Sequence, residues 1–240
     1  MTYVFILAVG LFAGTIGGIV GTGSSIMLLP VLIYEFGPKQ AVPIMAIAAI
    51  MANLARIMAW WREVDWKAVA AYSITGVPAA ALGARTLLAL PSHTVDIAIG
   101  VFLLSMIPAR RWLHAHNVQL PHWSLMIVGA VAGFLTGIVA STGPITVPIF
   151  MTFGLVKGAL LGTEAAGSLL VYISKALTFQ RLDALPLDVF LKGLIAGSSL
   201  FAGAFLAKRF VLKLDPDSFR LMMDGLMLVA GLSILWGAFI

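Results

Sequence analysis

The chain has 240 residues, of which 61% are hydrophobic and only 10% are charged, and its net charge at pH 7 is +5. So few charges cannot cover a water-exposed surface, which excludes a soluble globular protein and indicates a chain embedded in a lipid bilayer. The basic excess does not indicate nucleic acid binding, because the basic residues cluster at the ends of apolar segments, where they anchor helices to lipid headgroups. Cysteine is absent, which excludes disulfides, thiolate metal sites and thiol catalysis.

The first element is an uncharged, glycine-rich stretch that covers residues 1–34. As one straight helix it would be about 51 Å long, whereas the hydrocarbon core of a bilayer is roughly 30 Å thick. Glycines and serines within residues 17–25 predict that the helix breaks there. The stretch has no basic start and its apolar run is too long for a signal peptide, so we expect it to stay in the membrane.

Three apolar runs follow, each close to the length that a membrane-spanning helix needs, at residues 41–61, 68–90 and 94–109. In the first of them, Asn53 and Arg56 are three positions apart and therefore share one helix face. Arg56 is a candidate for attracting an anion. The favoured alternative is that its side chain extends toward Arg62 and the membrane interface.

Residues 123–156 form a second uncharged stretch of the same length as the first. At an offset of 119, seven residues of the first stretch match identical residues here, among them Gly10, Gly14 and Gly18; at an offset of 118, Pro30 meets Pro148. The coincidence of glycine and proline predicts an internal duplication, with one membrane repeat at residues 1–118 and the other at 119–240. A second helix break is predicted within residues 137–144, for which proline and glycine provide the reason.

Apolar runs at residues 158–179, 186–211 and 219–240 complete the second half. Glu164 lies inside the first of these runs, and an ionisable residue within a span is a candidate functional group. It is interpreted either as a proton carrier or as a carboxylate near the start of its own helix, stabilised by the helix dipole, and the sequence leaves both open. Lys175 lies about 16 Å further along the same helix and is a second candidate for attracting an anion.

The orientation of the halves follows from the lysines and arginines. If each uncharged stretch crossed the membrane once, the basic residues would divide eight to seven between the two sides. If each stretch were a hairpin, one side would collect ten and the other five. Because cytoplasmic loops carry the positive excess, the hairpin arrangement is favoured, with inverted halves and both termini outside the cytoplasm. The predicted fold is an all-α polytopic membrane protein, each half having a broken or hairpin first segment and three transmembrane helices.

The two breaks predict a binding site for an anion. The N-terminus of a half-helix presents several N–H donors and a partial positive charge, which suits oxyanions, and glycine lets a ligand approach the backbone. Alternatively, small residues merely permit close helix packing, which is the favoured interpretation for Gly14 and Gly18. The candidate substrate-binding residues are Gly21, Thr22, Gly23, Ser24, Ser25, Asn53, Ser141, Thr142, Gly143 and Pro144.

The run GTIGGIVGTGSSIMLLP at residues 14–30, with its partner at residues 133–148, resembles the TauE/SafE sulfite exporter family, also called the TSUP family. The likeness extends across both halves. In this chain Ser24 and Ser25 stand where many relatives have further glycines. The resemblance implies a prokaryotic or plant membrane protein with duplicated halves that moves sulfite, sulfonates or other sulfur-containing oxyanions.

From these features we predict a secondary transporter that exports a small sulfur-containing oxyanion by alternating access in a prokaryotic inner membrane. Its expected partners are the anion, the bilayer and a proton carried by Glu164, with no cofactor, metal or nucleic acid. A passive anion channel would use the same donors, and a carrier of another small organic anion is also compatible with the sequence. An intramembrane serine hydrolase would need a base near Ser24 or Ser141, and no histidine lies inside a span.

Overall fold

The structure is a computed structural model that describes residues 2–115, 123–139, 142–155, 157–207 and, further on, 224–225, 228–229, 231–232 and 234–236. Its described residues are almost entirely helical and contain no β-strand. The predicted boundary between the halves, after residue 118, lies outside the described residues, as do most of residues 219–240. The helices are α1 Thr2–Val20, α2 Ser24–Phe36, α3 Pro38–Trp60, α4 Trp66–Ala89, α5 Ser92–Ala115, α6 Ser124–Ile138, α7 Gly143–Met151, α8 Lys157–Arg181 and α9 Leu187–Ala207.

Both uncharged stretches are broken helices, as the sequence predicts. In the first, α1 ends at Val20 and α2 begins at Ser24. Gly21 and Gly23 have φ angles of 84° and 108°, a region that residues with a Cβ rarely adopt. In the second stretch α6 ends at Ile138 and α7 begins only at Gly143. Glycine therefore makes the first break possible through its backbone freedom.

The glycines that precede each break serve close helix packing, which confirms the interpretation of Gly14 and Gly18. A Cβ atom at Gly14 would lie 2.8 Å from the Cα of Leu200 on α9, and one at Gly18 would lie 2.7 Å from the Cα of Ala204. On α6, a Cβ at Gly133 would lie 2.8 Å from the Cα of Gly76 on α4. Each broken helix therefore packs directly on the backbone of a helix from the other predicted half.

The long helices α3 and α8 occupy the centre. They contact each other, α3 also packs on α9, and α8 also packs on α4. If α1 to α4 are matched in order with α6 to α9, the contact of α1 with α9 corresponds to that of α6 with α4. The contact of α3 with α9 corresponds in the same way to that of α8 with α4. The central helices α3 and α8 therefore each contact helices of both predicted halves.

The surface is that of a membrane protein. Among the described helices, α1, α3 with the short turn after it, and α9 are long and apolar enough to cross a bilayer. Large apolar side chains such as Val4, Phe12 and Ile74 are exposed on the helix surfaces, where water would make them unfavourable. Trp61, Trp66, Trp112 and Trp123 are exposed near helix ends, as tryptophans at a membrane interface are. The chain is an integral membrane protein.

Candidate functional site

The two breaks face one small cavity at the centre of the helix bundle. Its volume is about 20 Å³, which is room for roughly one water molecule. Most of the predicted substrate-binding residues line it. Two of the three charged candidate residues, Arg56 and Glu164, line it as well. The lining residues are Gly21, Thr22, Gly23, Ser24, Ser25, Ala49, Ala52, Asn53, Arg56, Thr136, Thr142, Gly143, Glu164, Ser168 and Tyr172.

Three predicted residues stand apart from this set. Lys175 is not among the lining residues. Ser141 lies outside the described residues, and of Pro144 only the backbone, in the first turn of α7, is described. The cavity therefore unites residues 21–25 with Asn53, Thr142 and Gly143, which lie far apart in the sequence.

At the first break, the start of α2 has no side-chain cap. Its N-cap is Gly23, which has no side chain to accept a hydrogen bond from the first turn. Thr22 lies directly before it and is only 8% exposed, and its Oγ1 has no hydrogen-bond partner among the described residues. A buried hydroxyl without a partner is unusual, because buried polar groups are normally hydrogen-bonded. The first break thus presents a helix N-terminus and a free donor to the same space.

At the second break the threonine hydroxyl is used differently. Thr142 is the N-cap of α7 but makes no side-chain cap to that helix. Its Oγ1 instead pairs with Oγ1 of Thr136 on α6, at 2.6 Å, so that the pair spans the break. The N-terminus of α7 therefore also lacks a side-chain cap, and its second residue, Pro144, has no N–H to donate.

Arg56 is buried at the cavity rather than extended toward the interface. It is 9% exposed. Its Nη1 donates to the backbone oxygen of Gly21 and, at 2.9 Å, to Oε2 of Glu164, while its Nη2 donates to Oδ1 of Asn53. The favoured interpretation that Arg56 extends toward Arg62 is therefore wrong. The buried carboxylate and the carbonyl at the break hold the guanidinium inside the bundle, where leaving it unpaired would be costly.

Glu164 is the carboxylate partner, and it is only 2% exposed. Its Oε2 accepts from Arg56, while its Oε1 accepts from Ser168 at 2.7 Å and from Thr146 at 3.1 Å. Glu164 is the eighth residue of α8, which begins at Lys157. The helix dipole acts mainly in the first turn, so the interpretation of Glu164 as a carboxylate at a helix start is wrong. The interpretation as a proton carrier stays a prediction.

The ion pair leaves the cavity with no net charge from these two side chains. Arg56 lies in the first predicted half and Glu164 in the second, and each occupies one of the central helices α3 and α8. Removing one partner from such a buried pair leaves the other uncompensated, which is strongly unfavourable. Any anion that reaches the cavity therefore meets a positive group that is already engaged by a carboxylate.

Lys175 lies behind the second break and is fully buried. Its Nζ donates to the backbone oxygens of Thr136 and Val139, the latter at 2.9 Å, and lies 5.6 Å from the ring centre of Phe179. These carbonyls belong to the C-terminal end of α6, where helix carbonyls lack partners within the helix. Lys175 thus caps a broken helix instead of facing the cavity.

Some site residues were missed by the sequence reasoning. Ser168 follows Glu164 by four positions, and the helical i, i+4 spacing was a usable signal for that hydrogen bond. Thr146 and Tyr172 gave no local signal, because their proximity to the cavity or to Glu164 depends on how α7 and α8 pack.

Two curated proteins from Bacillus subtilis (strain 168) are similar to this chain. One, named probable membrane transporter protein YjnA, is 24% identical over 260 residues, which covers 97% of this chain and 99% of that protein. The other, named probable membrane transporter protein YunE, is 24% identical over 115 residues, or 43% of this chain and 42% of that protein. No solved structure is significantly similar to the chain. The model of the sulfite exporter TauE/SafE family matches residues 6–234, so the chain belongs to this family of membrane transporters.

Proposed function

We propose that the protein is a secondary transporter for small sulfur-containing oxyanions, sulfite or an organosulfonate, and that it binds them in the cavity between the two breaks. The observation that carries this proposal is the buried arrangement at the first break. There a helix N-terminus without a side-chain cap, the hydroxyl of Thr22, which has no partner among the described residues, and the guanidinium of Arg56 face the same space. Helix N-termini bind oxyanions through backbone N–H groups, and a guanidinium adds charged donors of fixed geometry.

The proposed mechanism is alternating access between two inverted halves. Transporters of this kind bind their substrate near the membrane midplane between repeats, at helices that are interrupted there. The corresponding contacts of the two halves support this proposal: α1 of the first half packs on α9 of the second, and α6 of the second half packs on α4 of the first. Glu164 is proposed to carry the coupled proton. The membrane is proposed to be a prokaryotic plasma membrane, and export is the direction that the family description suggests.

The size of the cavity favours a carrier over a passive channel. At about 20 Å³ it holds roughly one water molecule, whereas a conducting pore needs a continuous path with several weak binding sites. A carrier that encloses its site before it opens to the other side needs no such path. Saturable exchange of labelled anion is therefore expected, without a steady ionic current.

The test is counterflow in proteoliposomes. Purified protein is reconstituted with a high internal concentration of unlabelled sulfite, and the entry of labelled sulfite is followed. The same measurement is then made with a labelled organosulfonate. We expect saturable accumulation that external unlabelled sulfite or sulfonate inhibits, and that chloride or nitrate at equal concentration does not.

Protein-free liposomes provide the background. The absence of saturable exchange for every sulfur oxyanion would refute the substrate class. Flux that rises linearly with concentration and is accompanied by a current would support a channel instead.

A further inference from the structure

We infer that the transported anion and the carboxylate of Glu164 compete for the guanidinium of Arg56, so that anion binding releases Glu164 to take up a proton. This inference rests on the proposed function and states how substrate and proton are linked at the site. It starts from the double contact of Nη1, which donates both to Gly21 at the break and to Glu164. The cation that an anion would seek is already bound to a negative group belonging to the protein.

The small volume of the cavity in this conformation favours this exchange. Sulfite has four non-hydrogen atoms, and a sulfonate has more, whereas the cavity holds roughly one water molecule. The largest anionic group beside Arg56 is the carboxylate of Glu164, which resembles an oxyanion in charge and in the spacing of its oxygens. An anion can reach Nη1 of the guanidinium once Oε2 of that carboxylate has turned away from it.

Further donors for the incoming anion line the same cavity as Arg56. The hydroxyl of Thr22 is buried and has no partner among the described residues, and it precedes an α2 terminus with no side-chain cap. Together with Arg56 they form a set of donors around one position. Thr22 would satisfy its unused hydroxyl only when an acceptor enters the cavity.

The contacts of Glu164 are divided in a way that suits its release. Oε2 contacts Arg56, whereas Oε1 accepts from Ser168 and Thr146, which do not depend on the arginine. After the anion has replaced it, the carboxyl group can keep both hydroxyl donors on Oε1. Oε2 then has no cation, and a buried carboxylate without one is so unfavourable that it binds a proton from the aqueous side that is open.

The charges balance in this exchange. Before binding, the guanidinium carries +1 and the carboxylate −1. Afterwards the guanidinium is paired with the monoanion, and Glu164 is neutral with the proton on Oε2. Among the described residues, Tyr72 on α4 and Tyr172 on α8 are further titratable groups near Glu164, and Lys175 faces the carbonyls of α6. One proton therefore accompanies each monoanion.

The first experiment measures proton uptake on binding. Methanesulfonate, an anion whose charge does not change over the range used, is titrated into detergent-solubilised protein by calorimetry in buffers of different ionisation enthalpy. We expect one proton to be taken up per anion and an apparent Kd that weakens as the pH is raised, because proton uptake is linked to binding. Glu164→Gln is expected to bind without proton uptake, with a pH-independent Kd at least as tight as that of the wild type.

Two further variants test whether the loss of proton uptake is specific to Glu164. Glu63→Gln removes an exposed glutamate outside the cavity and should leave proton uptake at one per anion. Thr22→Val should weaken binding severalfold while proton uptake stays at one. In proteoliposomes, Glu164→Gln should retain counterflow and lose accumulation driven by a pH gradient.

The outcomes distinguish the two proposals. If wild-type protein binds and exchanges the anion without proton uptake, or if Glu164→Gln folds but loses binding, the competition is refuted and the transport proposal stands. If the wild type neither binds methanesulfonate or sulfite nor exchanges them, both proposals fail together.

Discussion

At each break a buried cation, Arg56 or Lys175, donates hydrogen bonds to the end of the broken helix. The two cations occupy corresponding positions in α3 and α8 but differ in their other contacts. Arg56 is the nineteenth residue of α3 and Lys175 the nineteenth residue of α8, counted from Pro38 and Lys157. Each donates to backbone carbonyls where the broken helix of its own predicted half ends. The guanidinium has enough donors to bind Asn53 and Glu164 as well, whereas the recorded hydrogen bonds of the ammonium go to two carbonyls.

The comparison indicates that both cations cap a broken helix, whereas only one of them is placed to bind substrate. Capping an interrupted helix at membrane depth is needed in both halves, since its carbonyls have no water to bind. Of the two cations, only Arg56, in the first predicted half, lines the cavity. The halves would therefore not be equivalent for substrate, although their helices pack in a corresponding way.

The largest effect is expected from Arg56→Met. This change removes the cation at the cavity and leaves Glu164 buried without a partner, which should lower stability by about 3–5 kcal/mol and abolish counterflow. Thermal unfolding and proteoliposome exchange measure the two losses. Arg85→Gln, which removes an exposed arginine, is the matched control and should retain both.

A double variant then separates folding from binding. Arg56→Met combined with Glu164→Leu removes both charges and should recover much of the lost stability, because no buried charge stays unpaired. Counterflow should remain absent. Anion exchange at the wild-type rate by the double variant would contradict a role for Arg56 in binding.

Lys175→Met tests whether the second cation has the structural task alone. Two buried carbonyls of α6 would lose their donor, and we expect a loss of about 2–3 kcal/mol in thermal unfolding. The Kd for anion should change by less than about threefold. Lys175→Arg, which keeps a donor, is the control. A folded Lys175→Met variant with greatly weakened binding would assign Lys175 to the substrate site after all.

The glycine contacts should be equally sensitive in both halves. Gly14→Ala and Gly133→Ala each place a Cβ within 2.8 Å of a backbone Cα, so we expect each to cost about 1–3 kcal/mol through overpacking. Gly225→Ala is the matched control, because no atom of the described residues lies within 4 Å of the added Cβ. A large difference between Gly14→Ala and Gly133→Ala would show that only one of the two contacts matters for stability.

The smallest effects concern the threonines at the breaks. Thr142→Val removes one hydroxyl of the pair that spans the second break and should cost about 1 kcal/mol. Its effect on anion affinity should be smaller than that of Thr22→Val, whose hydroxyl has no partner among the described residues. Equal losses of affinity in the two variants would contradict the assignment of the ligand to the first break.

The breaks themselves could be predicted from sequence because their cause is local. An uncharged stretch too long for one span, interrupted by glycines, has few other solutions. The membership of residues 21–25 and of Asn53 in one cavity also agrees with expectation. A duplicated pattern indicates that the two breaks have related environments, although it does not give the distance between them.

The charged contacts could not be predicted in the same way. Arg56 and Glu164 are 108 residues apart and meet only because α3 and α8 pack together. In the sequence Arg56 has Arg62 and a helix end as its visible neighbours, which favours extension to the interface. Glu164 follows Gly162 and Thr163 in the sequence, which favours a position near the start of its helix, whereas α8 starts seven residues earlier, at Lys157.

The contact of α1 with α9 has a consequence for how the protein is made. The glycine face of α1 packs on the backbone of Leu200 and Ala204, which follow Gly14 and Gly18 by 186 residues. During synthesis this face stays without that partner until α9 has been translated. Nascent chains that stop before α9 should therefore be recognised as unassembled and degraded, even when every helix they contain has already been inserted.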